Sequence, residues 1–494
     1  VRVKLFRTDH LVADLKNRSV RGSVASMSTQ GVKLVLQMGS TMILARLLTP
    51  DDYGIFGMAI VLTGFLALFN DLGLSMATIQ RKELSHEQVS ALFWVNASLG
   101  LLITLAALAA APVVAWFFDE PGLKAVVSAM AVAFLLGGLS VQHQALLRRQ
   151  MRFGRIALMD VAALGTGIGA AIVCAASGMG YWALVVMHVA TAFVTLVGAW
   201  SLCRWVPSRP RRATNVGGLL GFGANLFGFN LLNYFSKAAD HLLLGWRWGR
   251  QPLGLYHNAR RLMQLPLTQL NAPMTQVAIP ALSRVTDEPE RYRAAYVRFV
   301  DKILLLALPG IAFLISTSDW IVAVVLGPQW GESARILAIL GFGALLEPLA
   351  STTGWLLISQ GRTREMLRLG VVDTVLRFGL IAVALPWGAK GVAAAVAVRA
   401  FVIFPILCFV VGRKGPVKAT DILRPAVAPA IAAAGVFGLL LALRWAVPLP
   451  SALASLVVSF VLAAAVSFAI LVALPSGRGA LTDLRDSLLQ SLRA

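Results

Sequence analysis

Residues 42–59 read MILARLLTPDDYGIFGMA, and residues 241–259 read HLLLGWRWGRQPLGLYHNA. Set 200 positions apart, Leu44, Gly54 and Ala59 meet Leu244, Gly254 and Ala259 without a gap, and Ile55-Phe56 meets Leu255-Tyr256. Each stretch closes one apolar helix, turns on polar residues, and opens a second helix with a glycine, an aliphatic and an aromatic residue. A second echo lies further along. RIALMD (155–160) and RLGVVD (368–373) each put an arginine five residues before an aspartate at the start of an apolar run. GYWAL (from Gly180) and GVAAA (from Gly391) open the run that follows. The chain is therefore read as two copies of one helical unit.

The runs themselves set the class. Of 494 residues, 58% are hydrophobic and only 14% are charged, against about 25% charged in an ordinary soluble domain. The apolar residues gather in stretches of roughly 18–25, the length that carries a helix across a bilayer core. Such runs predict an all-α polytopic membrane protein with helices at about 24–46, 55–77, 90–117, 122–144, 156–176, 180–203, 217–238, 252–279, 299–320, 334–358, 366–385, 388–411, 425–445 and 451–474, called spans 1 to 14 here. Proline or glycine punctuates most junctions, among them Pro50, Pro121, Gly178, Pro252, Pro386 and Pro450. The echoes match span 1 with span 7 and spans 5–6 with spans 11–12. The repeat is thus six helices, an even number, so both copies point the same way through the membrane. Parallel repeats of this kind place a pseudo-two-fold axis along the membrane normal and a site between two lobes.

The net charge of +21 would suit a nucleic-acid binder, but its distribution excludes that reading. With the N-terminus inside, thirty of the 44 Lys and Arg residues fall in the N-terminal lead, the even-numbered loops and the tail. Seven (Arg46, Lys124, Arg247, Arg250, Arg335, Lys390 and Arg444) fall outside, and the other seven lie within spans. This positive-inside asymmetry predicts both termini in the cytoplasm. The expected organisation is a basic cytoplasmic lead at 1–23 without a signal-peptide core, an N-lobe at 24–203 and an inter-lobe linker at 204–216. A C-lobe at 217–411, two further spans within 412–474 and a cytoplasmic tail at 475–494 complete it. Residues 287–302 read as an amphipathic cytoplasmic helix leading into span 9. Cys174, Cys203 and Cys408 lie far apart in apolar surroundings, without disulfide or metal spacing, and read as small buried hydrophobes. No metal site and no cofactor is implied. His143 and His188 stand alone and read as core or interface residues, and Trp246 and Trp248 fit an interfacial belt.

ILARLLTPDDYGIFGMA, LGLSMATIQRKELS, DHLLLGWRWGRQPLGLYHNARRLMQLP and AIPALSR resemble the polysaccharide-transporter branch of the MOP (MATE-like) exporter superfamily, the Wzx-type flippases of lipid-linked oligosaccharides. The resemblance runs from about residue 20 to 420. It implies a bacterial inner-membrane protein of fourteen helices, with a cavity between two six-helix lobes lined by spans 1, 2, 7 and 8. It implies a polyprenyl-pyrophosphate-linked oligosaccharide as cargo, no catalytic residues, and polysaccharide polymerase and export proteins as candidate partners beside the membrane lipids. It does not identify the sugar.

An ionisable side chain inside a membrane is costly and marks function by default. Lys33 lies about ten residues into span 1, with Gln37 one turn along the same face. Span 7 offers Asn225, Asn230, Asn233, Lys237 and Asp240, and span 8 offers Asn258, Arg260, Arg261, Gln264 and Gln269. Fixed cations suit a pyrophosphate, Arg gripping two oxygens at once, while Asn, Gln and aromatic rims (Tyr234, Trp246, Tyr256) suit sugar hydroxyls. Lys33, Gln37, Asn230, Asn233, Arg260, Arg261 and Gln264 are the candidate cavity set. Structural alternatives stand beside it: Lys33 tied to Asp71 of span 2, Lys237 and Asp240 as an exposed i,i+3 pair, and only one of Arg260 and Arg261 turned to the cavity because neighbours point about 100° apart. Glu347, Asp373, Arg377 and Arg399 form either a neutral structural network or a site where a carboxylate takes a proton or Na⁺. Pro348 is placed to kink span 10, and Asp160 reads as a helix-start anion beside Arg155. A drug or cation antiporter of the same superfamily is the rival function, but the net cationic charge of spans 1, 7 and 8 suits an anion better. The outer loops are too short to house an enzyme domain, and no GxxxxGK nucleotide loop is present. Replacing Lys33, Arg260 or Arg261 by Ala is expected to lower glycan export at unchanged protein level, which quantitative glycan analysis beside immunoblots checks.

Overall fold

The computed structural model describes residues 15–70, 74–80, 84–209, 223–446, 451–475, 477–483 and 485, with side chains described for these except at 15–28, 76, 77, 80 and 223–233. The described residues are predominantly helical, with no strand among them. In chain order the helices are α1 (Leu15–Leu47), α2 (Pro50–Ala67), α3 (Leu74–Gln80), α4 (His86–Phe118), α5 (Gly122–Arg149), α6 (Phe153–Ala176), α7 (Trp182–Cys203), α8 (Gly223–Trp248), α9 (Arg250–Ser283), α10 (Pro289–Ser316), α11 (Ser318–Val325), α12 (Gly331–Ala344), α13 (Glu347–Ser359), α14 (Thr363–Ala384), α15 (Gly388–Arg413), α16 (Ala419–Leu423), α17 (Val427–Ala446) and α18 (Ala452–Ala473).

Among the described residues eight helices are long and apolar enough to cross a membrane, or nine when the bent pair α12–α13 is one span. One of the eight is the continuous stretch Thr363–Arg413, which holds α14 and α15 together. The chain is a multi-pass membrane protein. The helices that miss the apolar test in the positions of spans 1, 2, 7 and 8 are α1, α2, α8 and α9. Their sequences carry the polar and charged residues singled out above, and α9 also holds Pro266, Pro273 and Pro280.

Several helices start earlier than apolar windows suggest, because their caps are polar. Thr49 caps α2: its side chain accepts from the Asp52 N–H at 3.3 Å, while Asp52 Oδ2 accepts from the Thr49 N–H at 2.9 Å, and Pro50 occupies the first turn. Ser85 and Gln88 repeat the device at α4, so that helix begins at His86 rather than near 90. The segment expected as an amphipathic helix at 287–302 leading into span 9 is the first part of α10. Tyr292, Tyr296 and Val300 on it are fully buried. Their hydroxyls explain how tyrosines enter that core: Tyr292 meets Ser359 Oγ at 2.6 Å, and Tyr296 meets Thr352 Oγ1 at 2.9 Å. Span 10 is broken. Pro348 lacks the N–H that would bond Ala344, α12 ends at Ala344, and the two halves are bent by 42°.

By packing, the chain divides into two compact units, one up to Gly254 and one from Leu255. In the first unit α4 and α5 pack along each other, α7 lies against both α5 and α6, α1 runs along α6, and α8 packs on α2. Its connections sort by parity. At one end the Arg250 guanidinium reaches Asp51 at 2.9 Å and Glu120 at 3.6 Å, joining the turns after α1, α4 and α8. At the other end the Trp205 indole N–H donates to His86 Nδ1 at 3.1 Å, Trp94 donates to the Ser208 carbonyl at 2.8 Å, and Arg149 caps the Thr78 carbonyl at 3.0 Å. The second unit sorts likewise. Lys390 pairs with Glu332 at 2.6 Å, and Arg444 pairs with Asp319 over the Trp320 ring, at one end. Arg293 pairs with Asp421 at 2.9 Å, and Gln360 bonds the Tyr292 hydroxyl, at the other. Exposed Trp116, Trp246 and Trp248 in the first unit, and Trp387 and Trp445 in the second, sit at the ends holding the odd-numbered turns, as an interfacial belt does.

The echoed turns meet each other. A Cβ built on Gly54 would collide with the Arg250 carbonyl, and one built on Gly254 would collide with the Pro50 carbonyl. Positions 50 and 250, like 54 and 254, are equivalent in the repeat, so the contact is reciprocal: each copy's turn abuts the other's glycine. That is how a local two-fold joins like surfaces. Gly54→Ala and Gly254→Ala are each expected to lower stability by about 1–3 kcal/mol or more, since backbone cannot yield as a side chain can. Gly31→Ala, where a Cβ meets nothing within 4 Å, is expected to raise it by about 0.5–1 kcal/mol; thermal unfolding in detergent measures all three.

Candidate functional site

Lys33 is engaged. Its Nζ lies 2.5 Å from Asp160 Oδ2, tying α1 to α6. Its described partner is Asp160, and the alternative partner Asp71 lies outside the described residues. Asp160, expected as a helix-start anion beside Arg155, instead serves Lys33, and Arg155 donates to the Leu202 carbonyl at 2.9 Å. The pairing follows from packing, because α1 runs beside α6 and each helix brings one ionic group to the same level. Gln37 is half-buried one turn further along α1.

In the second unit Asp373 is gripped by Arg399, with Nε to Oδ1 at 2.6 Å and Nη2 to Oδ2 at 2.5 Å. The two-point fork is the strong form of this pair. Arg377, one turn from Asp373 on α14, is buried at 7% exposure. Of the expected set, Asp373 and Arg399 are the pair described. Glu347 is exposed at the start of α13, directly after the break that Pro348 imposes, and no ion pair to it is described. There its charge faces the positive end of the helix dipole.

The cations of α9 differ in depth. Arg260 is buried at 8% exposure, while Arg261 and Gln264 are half-buried. One of the adjacent arginines is therefore sunk and the other more open. Asn258 is completely buried, and neither of its amide atoms has a hydrogen-bond partner. Asp240, expected in an exposed pair, is completely buried; its Oδ1 accepts from the His241 N–H at 3.0 Å and lies 3.2 Å from His241 Nδ1. Lys237 is exposed. Asn230 and Asn233 lie on the part of α8 whose side chains are outside the description.

One assembly escaped the sequence reading. His143 stacks on Trp200 at 4.4 Å and bonds the Trp205 carbonyl at 3.0 Å, while Phe93 closes the cluster edge-on. It fastens the segment after α7 onto the start of α4. The only sequence signal was aromatic and histidine residues recurring at the ends of spans 3, 4 and 6. Among the described residues no three His, Cys, Asp or Glu side chains converge to hold a metal ion. The chemistry available is the presentation of fixed charge and polar side chains from helices, without a nucleophile–base constellation among the groups located above.

The model of a family described as "Polysaccharide biosynthesis protein" matches residues 43–335. The chain is 23% identical over 368 residues to the lipopolysaccharide biosynthesis protein WzxC of Escherichia coli (strain K12), covering 73% of this chain and 74% of that protein. It is 25% identical over 339 residues to the teichuronic acid biosynthesis protein TuaB of Bacillus subtilis (strain 168), covering 68% and 70%. Among solved structures it shares the fold of the lipid II flippase MurJ in an inward closed conformation, with TM-score 0.73, 13% identity and coverage of 91% and 98%. A multidrug-resistance MATE transporter of the MOP superfamily, inward-facing, gives TM-score 0.58 at 15% identity, with coverage of 77% and 95%.

Asp373→Asn removes the counter-charge from a guanidinium that is only 22% exposed and is expected to lower stability by about 1–3 kcal/mol. Arg399→Lys keeps the charge but loses the fork, and is expected to cost about 1 kcal/mol; melting of the purified variants in one detergent ranks them.

Proposed function

Because the chain belongs to the polysaccharide biosynthesis protein family, we propose that it is a flippase rather than an enzyme. It carries polyprenyl-pyrophosphate-linked oligosaccharide repeat units from the cytoplasmic to the periplasmic leaflet for exopolysaccharide, O-antigen or capsule biosynthesis. The observation that carries this reading is the pattern of polarity. The helices in the positions of spans 1, 7 and 8, α1, α8 and α9, miss the apolar test and set Lys33, Lys237, Arg260 and Arg261 against Asp240, a net cationic set that suits a pyrophosphate. The names of its relatives point the same way: one is a lipopolysaccharide biosynthesis protein, and the MurJ neighbour flips lipid II.

On this proposal the chain crosses the bacterial inner membrane fourteen times with both termini in the cytoplasm. Two six-helix lobes, 24–203 and 217–411, alternate access to one site. The headgroup and sugars enter it while the polyprenyl tail stays in lipid. Asn230, Asn233, Gln37 and Gln264 supply hydrogen bonds to the glycan, and the membrane-embedded cations hold the phosphates. Polymerase and export proteins receive the product on the far side.

The MATE-like fold keeps a cation antiporter as the second reading. That function needs an acid free to exchange H⁺ or Na⁺ for cargo. Asp160 and Asp373, the repeated carboxylates, are each already occupied by a side-chain cation, which weighs against it. A strain lacking the chain is expected to accumulate polyprenyl-linked repeat unit on the inner leaflet and to recover export on complementation. Unchanged glycan with altered resistance to cationic drugs would decide for the antiporter.

A further inference from the structure

The repeat puts Asp160 and Asp373 in equivalent places, yet the two carboxylates are held in different ways. Asp373 takes its cation from α15, the next span, through a two-point fork with Arg399. Arg399 stands eight residues after Gly391. The position eight residues after Gly180 is His188, not an arginine. Asp160 instead takes Lys33 from α1, through a single ammonium–oxygen contact. A fork fixes two planar groups in one geometry, whereas an ammonium is a point charge that accepts any oxygen anion within reach. The first pair is therefore fixed in orientation, and the second is not.

Two further observations bear on Lys33. The pair is half-buried, with side-chain exposures of 24% for Lys33 and 32% for Asp160. It is open enough for an incoming anion and dry enough for the charge to count. And burial of α1 is sparse at that level: no residue from Thr29 to Gly39 is fully buried among the described residues, burial beginning at Ser40 and Thr41. Over those three turns α1 is held by an ion pair more than by a packed core.

We infer that Asp160 is the resting counter-ion of Lys33, and that an anionic phosphate headgroup displaces it, so that loading the substrate unties α1 from α6. The inference rests on the flippase reading above. Asp160 is a positioning residue: it keeps the Lys33 ammonium extended and its charge masked until a stronger anion arrives. A pyrophosphate offers more charge and more oxygens than one carboxylate, so the exchange is favourable while cargo is present. Once cargo leaves, the uncompensated Asp160 carboxylate draws Lys33 back and resets the helix. Unloaded protein is thereby biased against moving α1, which couples the helix to the presence of cargo.

The test separates this inference from the flippase reading. Wild type must first restore export to the deletion strain; failure there removes the reading itself. The charge exchange Lys33→Asp with Asp160→Lys, placed together, restores an ion pair but reverses the sign on α1. Export below about a tenth of wild type is expected at equal protein level, and full rescue would show a structural tie only and overturn the inference. Binding of farnesyl pyrophosphate to the purified protein supplies the second measurement. Asp160→Asn, which unmasks Lys33, is expected to bind about tenfold tighter than wild type, the scale of one charge-assisted hydrogen bond, and Lys33→Ala to bind weaker. Equal affinity for wild type and Asp160→Asn would also overturn it.

Discussion

The first unit depends on two backbone contacts that tolerate no side chain. Gly54 gives way to the Arg250 carbonyl and Gly254 to the Pro50 carbonyl, and with them the starts of α2 and α9 lie against one another. Everything at that end is arranged around the crossing. Arg250, brought to the surface of the turn by its own backbone contact, gathers Asp51 and Glu120. Gly249 takes φ = +75° to let α8 end and α9 begin within one residue. The Tyr234 hydroxyl fastens α8 one level deeper, donating to the Val61 carbonyl at 2.6 Å, beside the Phe65–Phe235 ring contact. The reciprocity of the contact gives the sequence repeat its physical meaning: each copy carries both the small residue and the carbonyl that needs it.

A membrane sharpens the accounting of charge. An ionic group that cannot reach water must find an opposite charge or give up its own. Lys33 meets Asp160, and Asp373 meets Arg399. These two carboxylates thus have cations, and Lys237, Arg260 and Arg261 add positive charge along α8 and α9.

Much of the architecture was legible because it rests on local rules. The helical class follows from run length and composition. The start of α2 is written in Thr-Pro-Asp-Asp and that of α4 in Ser-His-Glu-Gln, and the break between α12 and α13 in Pro348, whose missing N–H acts on a residue four positions away. Sequence windows blurred the starts of those helices because hydropathy does not register a polar cap. Spacing shows one apolar face over 287–302, but the burial of Tyr292 and Tyr296 on it depends on Ser359 and Thr352, which give their hydroxyls partners.

What the sequence by itself determined is the all-helical, membrane-spanning class, the polar caps and the proline break, and which side chains bring charge into apolar helices. What only the tertiary structure decided is who meets whom. Lys33 and Asp160 are 127 positions apart, and nothing in either neighbourhood names the other. Asp373 shares a face with Arg377 by helical spacing, yet it closes on Arg399 from the adjoining helix. Spacing along one helix fixes direction to within a turn, whereas an ion pair needs two helices to come together at one level. That depends on how their packed faces interlock, through many small contacts that no single stretch of sequence contains.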